Sequence, residues 1–380
     1  MKTEEQFEIV TSLAEVEAAA WDALAGPQPF VRHAFLHGLE QTGCVGGDTG
    51  WTPQHLLMKR GGVLVGALPL YLRDDSYGEF VFDFSWADAY ARYGGRYYPK
   101  LLSAVPFTPV TGRRLLAHHD ADRLLLIDAV LQLARDLQVS SWHCLFPTAA
   151  DAALLASKGL MQRFGAQFHW QNAGYTTFDD FLAEMSHDKR KKIKQERRRV
   201  RDAGVTFQHL VGAEITAEDW QFFYACYRHT YLTHHSPPYM NLVFFHGLGQ
   251  HLTENVMLVM AYQEGARMAV ALNLFDDERL YGRYWGATGF VSGLHFETCY
   301  YQSIEFAIAR KLAVFEGGAQ GEHKLARGLL PVTTSSSHWI ADANFARAVG
   351  DFLEREQRGV AQYVNELKES SPFRDAGGES

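Results

Sequence analysis

Displacing this sequence against itself by 204 residues aligns Gly61 with Gly265, Ala67 with Ala271 and Leu68 with Leu272. The same displacement aligns Leu70 with Leu274, Tyr77 with Tyr281 and Gly78 with Gly282, without a gap. Those six identities fall within the twenty positions Gly61–Phe80, where average composition gives about one or two. The flanking pattern repeats as well. His55–Lys59 and Met257–Tyr262 are short apolar runs, and each leads through a glycine turn to a second run, Val63–Leu72 or Met268–Phe275. An acidic turn follows in both places, Asp74-Asp75 or Asp276-Asp277-Glu278, and then a third run. Strand, turn, strand, turn, strand is the reading for both halves. A duplicated meander predicts two domains of one fold.

Helical sequence surrounds each meander. Ala14–Leu24, Phe35–Gln41 and Ala121–Leu137 read as helices in the first half, with a strand at Ser140–Phe146. Phe178–Met185, Lys189–Arg201, Trp220–Leu232, Leu294–Leu312 and Asn344–Lys368 read as helices in the second, with a strand at Ala313–Phe315. Mixed, mostly antiparallel sheets flanked by helices, occurring twice, give an α/β (α+β) class. The boundary falls near Asn172–Tyr175, giving domains over 1–173 and 174–368 and a frayed tail over 369–380. A chain of 380 residues suits two cores rather than one.

The formal net charge of −8 argues against general coating of nucleic acid, while leaving room for a local basic site. Cys44, Cys144, Cys226 and Cys299 are scattered with no CxxC, which fits a reducing compartment and gives no zinc spacing. Met1–Val10 has no apolar core of a signal peptide, and no run of about 20 apolar residues exists. A cytoplasmic location without a membrane span is expected.

Four segments carry candidate chemistry. From Lys189 to Arg201 there are nine Lys or Arg and one acid. On a helix, Arg190, Lys194, Arg197 and Arg201 share a face suited to phosphate, and Ile193 and Val200 mark an apolar one. Leu280–Gly289 runs through Arg283 and Trp285 into glycines ahead of a helix, a pattern whose backbone N–H groups cradle pyrophosphate. On that helix Glu297, Tyr301 and Glu305 recur every four residues, with His295 in a neighbouring row. Phe315–Lys324 packs Gly317, Gly318 and Gly321 beside Glu316, Glu322, His323 and Lys324. Glycines there admit a ligand close to the backbone. Glu297 or His323 is a candidate proton acceptor, and Lys324 a candidate oxyanion or phosphate partner. His295, Glu297, Glu322 and His323 also form an acceptable metal set, although the sequence does not bring them together, and no metal is expected. In the first half, Asp83, Trp86 and Asp88 lie among aromatic residues ahead of Lys100, a composition suited to a small-molecule pocket.

These runs, with Ser76–Tyr90, Tyr97–Leu101, Val105–Gly112, Asp188–Arg197 and Leu280–Gly286, resemble the Fem-like peptidoglycan biosynthesis/recognition family of predicted N-acyltransferases in the GNAT superfamily. The resemblance implies two tandem GNAT-like domains, in agreement with the repeat. It implies a basic helix at Arg190–Arg197 and an active-site lysine at Lys324, where Glu-His-Lys stands in place of the more common Phe-Lys. It implies direct transfer to an amine on a small molecule or peptide, such as a cell-wall precursor. Acyl-CoA or aminoacyl-tRNA would serve as co-substrate, with no tightly bound cofactor. The other reading is a non-catalytic double module that recognises a peptidoglycan precursor or another anionic ligand. The first domain lacks a counterpart of Glu316–Lys324 and is expected to bind rather than catalyse.

Overall fold

A computed structural model of the chain describes residues 5–318 and 321–374. Two compact units divide it, residues 1–165 with 333–361 and residues 166–332 with 362–380. The single cut expected near Asn172–Tyr175 is therefore replaced by three crossings of the chain. A strand's periodicity reveals its faces but not the sheet it joins, so the return of the chain to the first unit is invisible locally. Of the tail expected to fray, 375–380 lie outside the described residues.

The first unit opens with β1 (Glu5–Val10), α1 (Ala18–Ala25), α2 (His33–Gln41), β2 (Trp51–Pro53), β3 (His55–Arg60), β4 (Val63–Leu68) and β5 (Tyr71–Arg73). It continues through α3 (Phe84–Arg92), β6 (Lys100–Ser103), β7 (Leu116–Ala117), α4 (Asp120–Asp136), β8 (Ser141–Leu145) and α5 (Ala149–Ser157). Strands β1, β3, β4 and β7 form one antiparallel sheet, and β2, β5, β6 and β8 adjoin in a second. Leu126, Ile127 and Val130 of α4 bury against Leu56, Met58 and Leu68.

The chain passes along β9 (Met161–Gln171) into the second unit. There follow α6 (Phe178–Glu184), α7 (His187–Asp202), β10 (Val205–Val211), α8 (Ala217–Thr233), α9 (Leu242–His251), β11 (Val256–Gln263), β12 (Ala266–Phe275) and β13 (Arg279–Ala287). Next, α10 (Leu294–Phe296), a π-turn (Glu297–Tyr301) and α11 (Gln302–Ala309) run on in right-handed helical backbone, followed by β14 (Val314–Glu316). The sheet order is β10-β11-β12-β13-β14-β9. Strand β11 is apolar from Val256 to Ala261 and buried at each of those positions, the signature of a strand covered on both faces. Strand β15 (Leu330–Ile340) returns the chain to the first unit beside β8, and α12 (Ala343–Glu369) closes it.

The repeat is real over its first two strands. Leu56↔Leu68 and Leu57↔Ala67 in β3–β4 correspond to Leu258↔Leu272 and Val259↔Ala271 in β11–β12. Each hairpin also carries a register shift close to its turn. The third strand appears only in the second unit. Where β12 runs on through Asn273 to Phe275, the first unit has Pro69, and β4 ends at Leu68. Proline has no N–H for the ladder, so the chain steps to the other sheet. The expected third strand after Asp74-Asp75 is instead a loop leading to α3.

Candidate functional site

Strands β13 and β14 run parallel for only three paired positions, Arg279↔Val314 to Tyr281↔Glu316. Beyond Glu316 the strand β14 stops while β13 continues to Ala287. The register of β12 against β13 shifts at the same level, with Leu272 opposite Tyr284 and Asn273 opposite Gly282. Arg283 is thus the extra residue of a bulge. A cavity of about 100 Å³ lies here, lined by Asn273, Gly282, Trp285, His295, Cys299, Tyr300 and Gly317-Gly318. Gly318 adopts a φ of +87°, and a Cβ on Gly317 would collide with Leu329. Glycine is required at both places, as the sequence suggested.

Lys324 packs against the Gly317-Gly318 wall of this cavity from a 3-10 turn, Glu322–Arg327. Its Nζ donates to the Gly318 carbonyl at 2.9 Å, the one hydrogen bond it makes among the described residues. An ammonium carries three N–H groups, so two are left to offer. Only 3% of Lys324 is exposed. Burial lowers its pKa to about 8, with slight opposition from Cys299.

Two imidazoles stand nearby. His295 packs against Trp285 at 4.6 Å between ring centroids and lies 6.1 Å from His323. Burial, then the charges of His323, Arg327 and Lys324, lower its pKa to about 4. The His323 Nε2 lies 3.0 Å from the Tyr300 hydroxyl, and its pKa is also lowered, chiefly by burial. Both rings are neutral at pH 7 and able to accept a proton. The π-turn carries Tyr300 and Cys299 to the cavity, and such turns recur at functional sites.

Glu297 is not available as the base. Its carboxylate accepts from Arg197 Nε at 3.1 Å to each oxygen and from Arg197 Nη2 at 2.9 Å. Gln302 Nε2 adds a fourth contact at 2.8 Å. Both oxygens are occupied by donors, one of them a permanent cation. Glu297 also lines a different cavity, of about 700 Å³, with Arg197 and Glu305. Arg197, expected to bind substrate, is spent on Glu297 and on Glu305 at 2.8 Å. Glu297→Gln is expected to lower the melting temperature while leaving transfer within a few-fold of wild type, measured as kcat/KM. A loss above 100-fold would restore the base role.

Other candidates scatter. Lys194, Arg198 and Arg201 line the larger cavity from α7, whereas Arg190 is half-buried outside that lining. Tyr301 is fully buried and donates to Glu196, which also pairs with Arg327 at 2.8 Å, so it is a core residue rather than a substrate contact. Glu322 accepts from the Tyr363 hydroxyl at 2.8 Å, away from the cavity lining. Arg283 and Trp285 do line it. Among the described residues, no three His, Cys, Asp or Glu side chains converge as metal ligands.

Residues 12–375 match the FemAB-like family, described as peptidoglycan biosynthesis/recognition. The chain belongs to this family. No curated protein matches this FemAB-like chain. Its fold is similar to that of FemX, at 10% identity and a TM-score of 0.55 over 91% of this chain and 100% of that one. A C-terminal DUF2156 domain from Agrobacterium fabrum aligns with a TM-score of 0.55 at 9% identity, covering 90% of this chain and 97% of that one. L-PGS from Bacillus licheniformis aligns at 0.53 and 9%, covering 88% and 96%. Among the described residues no helix is long and apolar enough to cross a membrane.

One residue of this FemAB-like chain was named from the sequence without a role. Glu316, last in β14, is 3% exposed, and burial raises its carboxyl pKa to about 7 against the pull of Arg279. Arg279 donates to one oxygen at 3.1 Å, while the other, 3.8 Å from His169 Nε2, has no hydrogen-bond partner among the described residues. Only its place beside Gly317 hinted at this.

The first-unit candidates gather differently. Lys100 is fully buried and donates to Ser76 at 2.7 Å, Glu79 at 2.8 Å and Asp83 at 2.7 Å. Arg73, equally buried, pairs with Glu79 at 3.2 Å. Burial alone would raise the Asp83 carboxyl, but Lys100, His143 and bonds from Lys100 and Ser76 hold it far below the usual range. Asp83 also accepts from Tyr97 at 2.6 Å. Trp86 is buried beside His338. Asp83, Trp86 and Lys100 are therefore enclosed and cannot meet a substrate directly. Asp88 is exposed and lines a third cavity, of about 530 Å³.

Proposed function

We propose that this chain is an N-acyltransferase whose reacting centre is the opening between β13 and β14. The reading rests above all on Lys324, a buried amine anchored to Gly318, with no other partner for its Nζ among the described residues, packed behind the Gly317-Gly318 wall of a small cavity beside a bulged strand. The acyl carbonyl of a thioester or ester donor sits in that cavity. An acceptor amine attacks it, forming the C–N bond. Lys324 stabilises the oxyanion. The amine proton passes to neutral His295 or His323 and from there to the leaving sulfur or oxygen as its bond to carbon breaks. Lys194, Arg198 and Arg201 hold phosphate groups of the donor, either acyl-CoA or aminoacyl-tRNA. The family description makes a peptidoglycan precursor the natural acceptor.

Thermal shift with acetyl-CoA, longer acyl-CoAs and aminoacyl-tRNA tests the donor, since a ligand of the folded state raises its midpoint. At a ligand concentration 100-fold above Kd the gain is about 2.7 kcal/mol, or several degrees. A flat response to every donor would favour the recognition module. Lys194→Glu with Arg201→Glu is expected to weaken donor binding about tenfold or more, and less at high salt.

A further inference from the structure

The loop from Ser76 to Asp83 joins β5 to α3 and is held with unusual firmness. Lys100 grips Ser76, Glu79 and Asp83 from below. Arg73 donates to the Tyr77 carbonyl at 2.9 Å and to Asp75 at 2.7 Å. Two buried cations under one short loop are a costly device unless the loop's shape matters. What the loop presents outward is aromatic. Tyr77 is 63% exposed, Phe82 47% and Phe84 37%. Phe82 and Phe84 stack at 15° between planes, and Tyr77 lies 5.4 Å from Phe84. Three exposed rings in mutual contact on a rigid support form a surface patch, not scattered apolar residues.

The surroundings select a ligand. Asp88 follows Phe84 by one helical turn on the same face of α3, and with Asp74 and Arg96 it lines the 530 Å³ cavity, two carboxylates to one guanidinium. Asp75, 40% exposed, is paired with Arg73 at 2.7 Å and adds no free charge. Arg163, which bonds the Phe82 carbonyl, is neutralised by Glu356 at 2.8 Å. Two carboxylates against one guanidinium leave the lining net negative, which disfavours phosphates and nucleic acid. They accept hydrogen bonds from hydroxyl groups, while ring faces cover the C–H face of a pyranose.

We propose that Tyr77, Phe82 and Phe84, with Asp88 on α3 and Asp74 just after β5, form a saccharide-binding surface on the first unit. It takes the sugar portion of a neutral glycan. The proposal extends the acyltransferase reading by naming a sugar-bearing ligand, but its test needs no turnover. Saturation-transfer NMR with β-1,4-linked N-acetylglucosamine tetramer is the probe. Wild type is expected to give saturation on the sugar ring protons. Tyr77→Ala/Phe84→Ala and, separately, Asp88→Asn should each weaken binding about tenfold with the melting temperature unchanged, because these side chains are exposed. No saturation in wild type, or equal binding by all three proteins, overturns the proposal. Stronger binding of a single-stranded oligonucleotide than of the tetramer to the same patch overturns it as well. A failed donor screen beside intact sugar binding would sink the transferase reading alone.

Discussion

Lys324→Met is expected to lower transfer by about 10²–10³-fold in kcat, with KM for the donor little changed. That is the magnitude of removing one positioned oxyanion donor. The fold should survive. A buried lysine whose pKa falls to about 8 in the folded state, from an ordinary 10.5, costs stability wherever the unfolded chain is protonated, which is below pH 10.5. Replacing the amine with an isosteric apolar side chain removes that cost, so the melting temperature at pH 7 should hold or rise. The wild-type pH profile carries the same signature. The ammonium exists below the folded pKa, so kcat/KM should fall as pH rises through about 8. His295, with its pKa near 4, is already neutral across that range and adds no limb above pH 5. Lys324→Arg, cationic to beyond pH 12, should move the basic limb upward if it retains activity. An unchanged basic limb in an active Lys324→Arg protein would remove Lys324 from the chemistry.

Lys100→Met is expected to be the most destabilising single substitution in the first unit. It leaves Asp83 and Glu79, both almost wholly buried, without their shared cation. Breaking a buried pair from one side costs about 3–5 kcal/mol. For a unit of this size that lowers the melting temperature by roughly 10 °C, read by calorimetry. Adding Asp83→Asn to Lys100→Met should recover part of the loss, since one orphaned charge is then removed. If Lys100→Met alone melts like wild type, the network contributes nothing to stability and its support of the Ser76–Asp83 loop is in doubt.

Much of this was legible along the chain, for reasons that also mark where legibility ended. Glycine turns at Gly61 and Gly265 sit at hairpin ends because the backbone requires positive φ there, so the duplicated meander could be read without a structure. The divergence after Leu68 was legible in principle, since Pro69 stands where Asn273 continues a strand, but the shared Tyr-Gly at 77 and 281 concealed it. Lys324 and its glycines were found because loop, cation and close approach lie together in ten residues. Glu297 misled because its partner Arg197 lies 100 positions away. Helical spacing placed the acid on a face without saying what that face met. Glu316 was given no role for the same reason, as nothing local shows that one of its oxygens is buried without a hydrogen-bond partner among the described residues.

The division of the chain also bears on how it is made. The first unit needs residues 333–361, and within it Ser336–Ile340 pair with Ser141–Leu145. His143 Nδ1 meets His338 Nδ1 at 2.6 Å across that pairing. A growing chain emerging from the ribosome thus cannot finish its first unit until nearly all of the second has been synthesised. The half begun first is completed only after residues 166–332 of the other, and its sheet must wait with the β8 edge open. At about 5–20 residues per second the wait from Leu145 to Ile340 lasts roughly 10–40 s. During that interval the nascent protein is most exposed to mispairing at β8, and a chaperone or a pause in translation would have the greatest effect there.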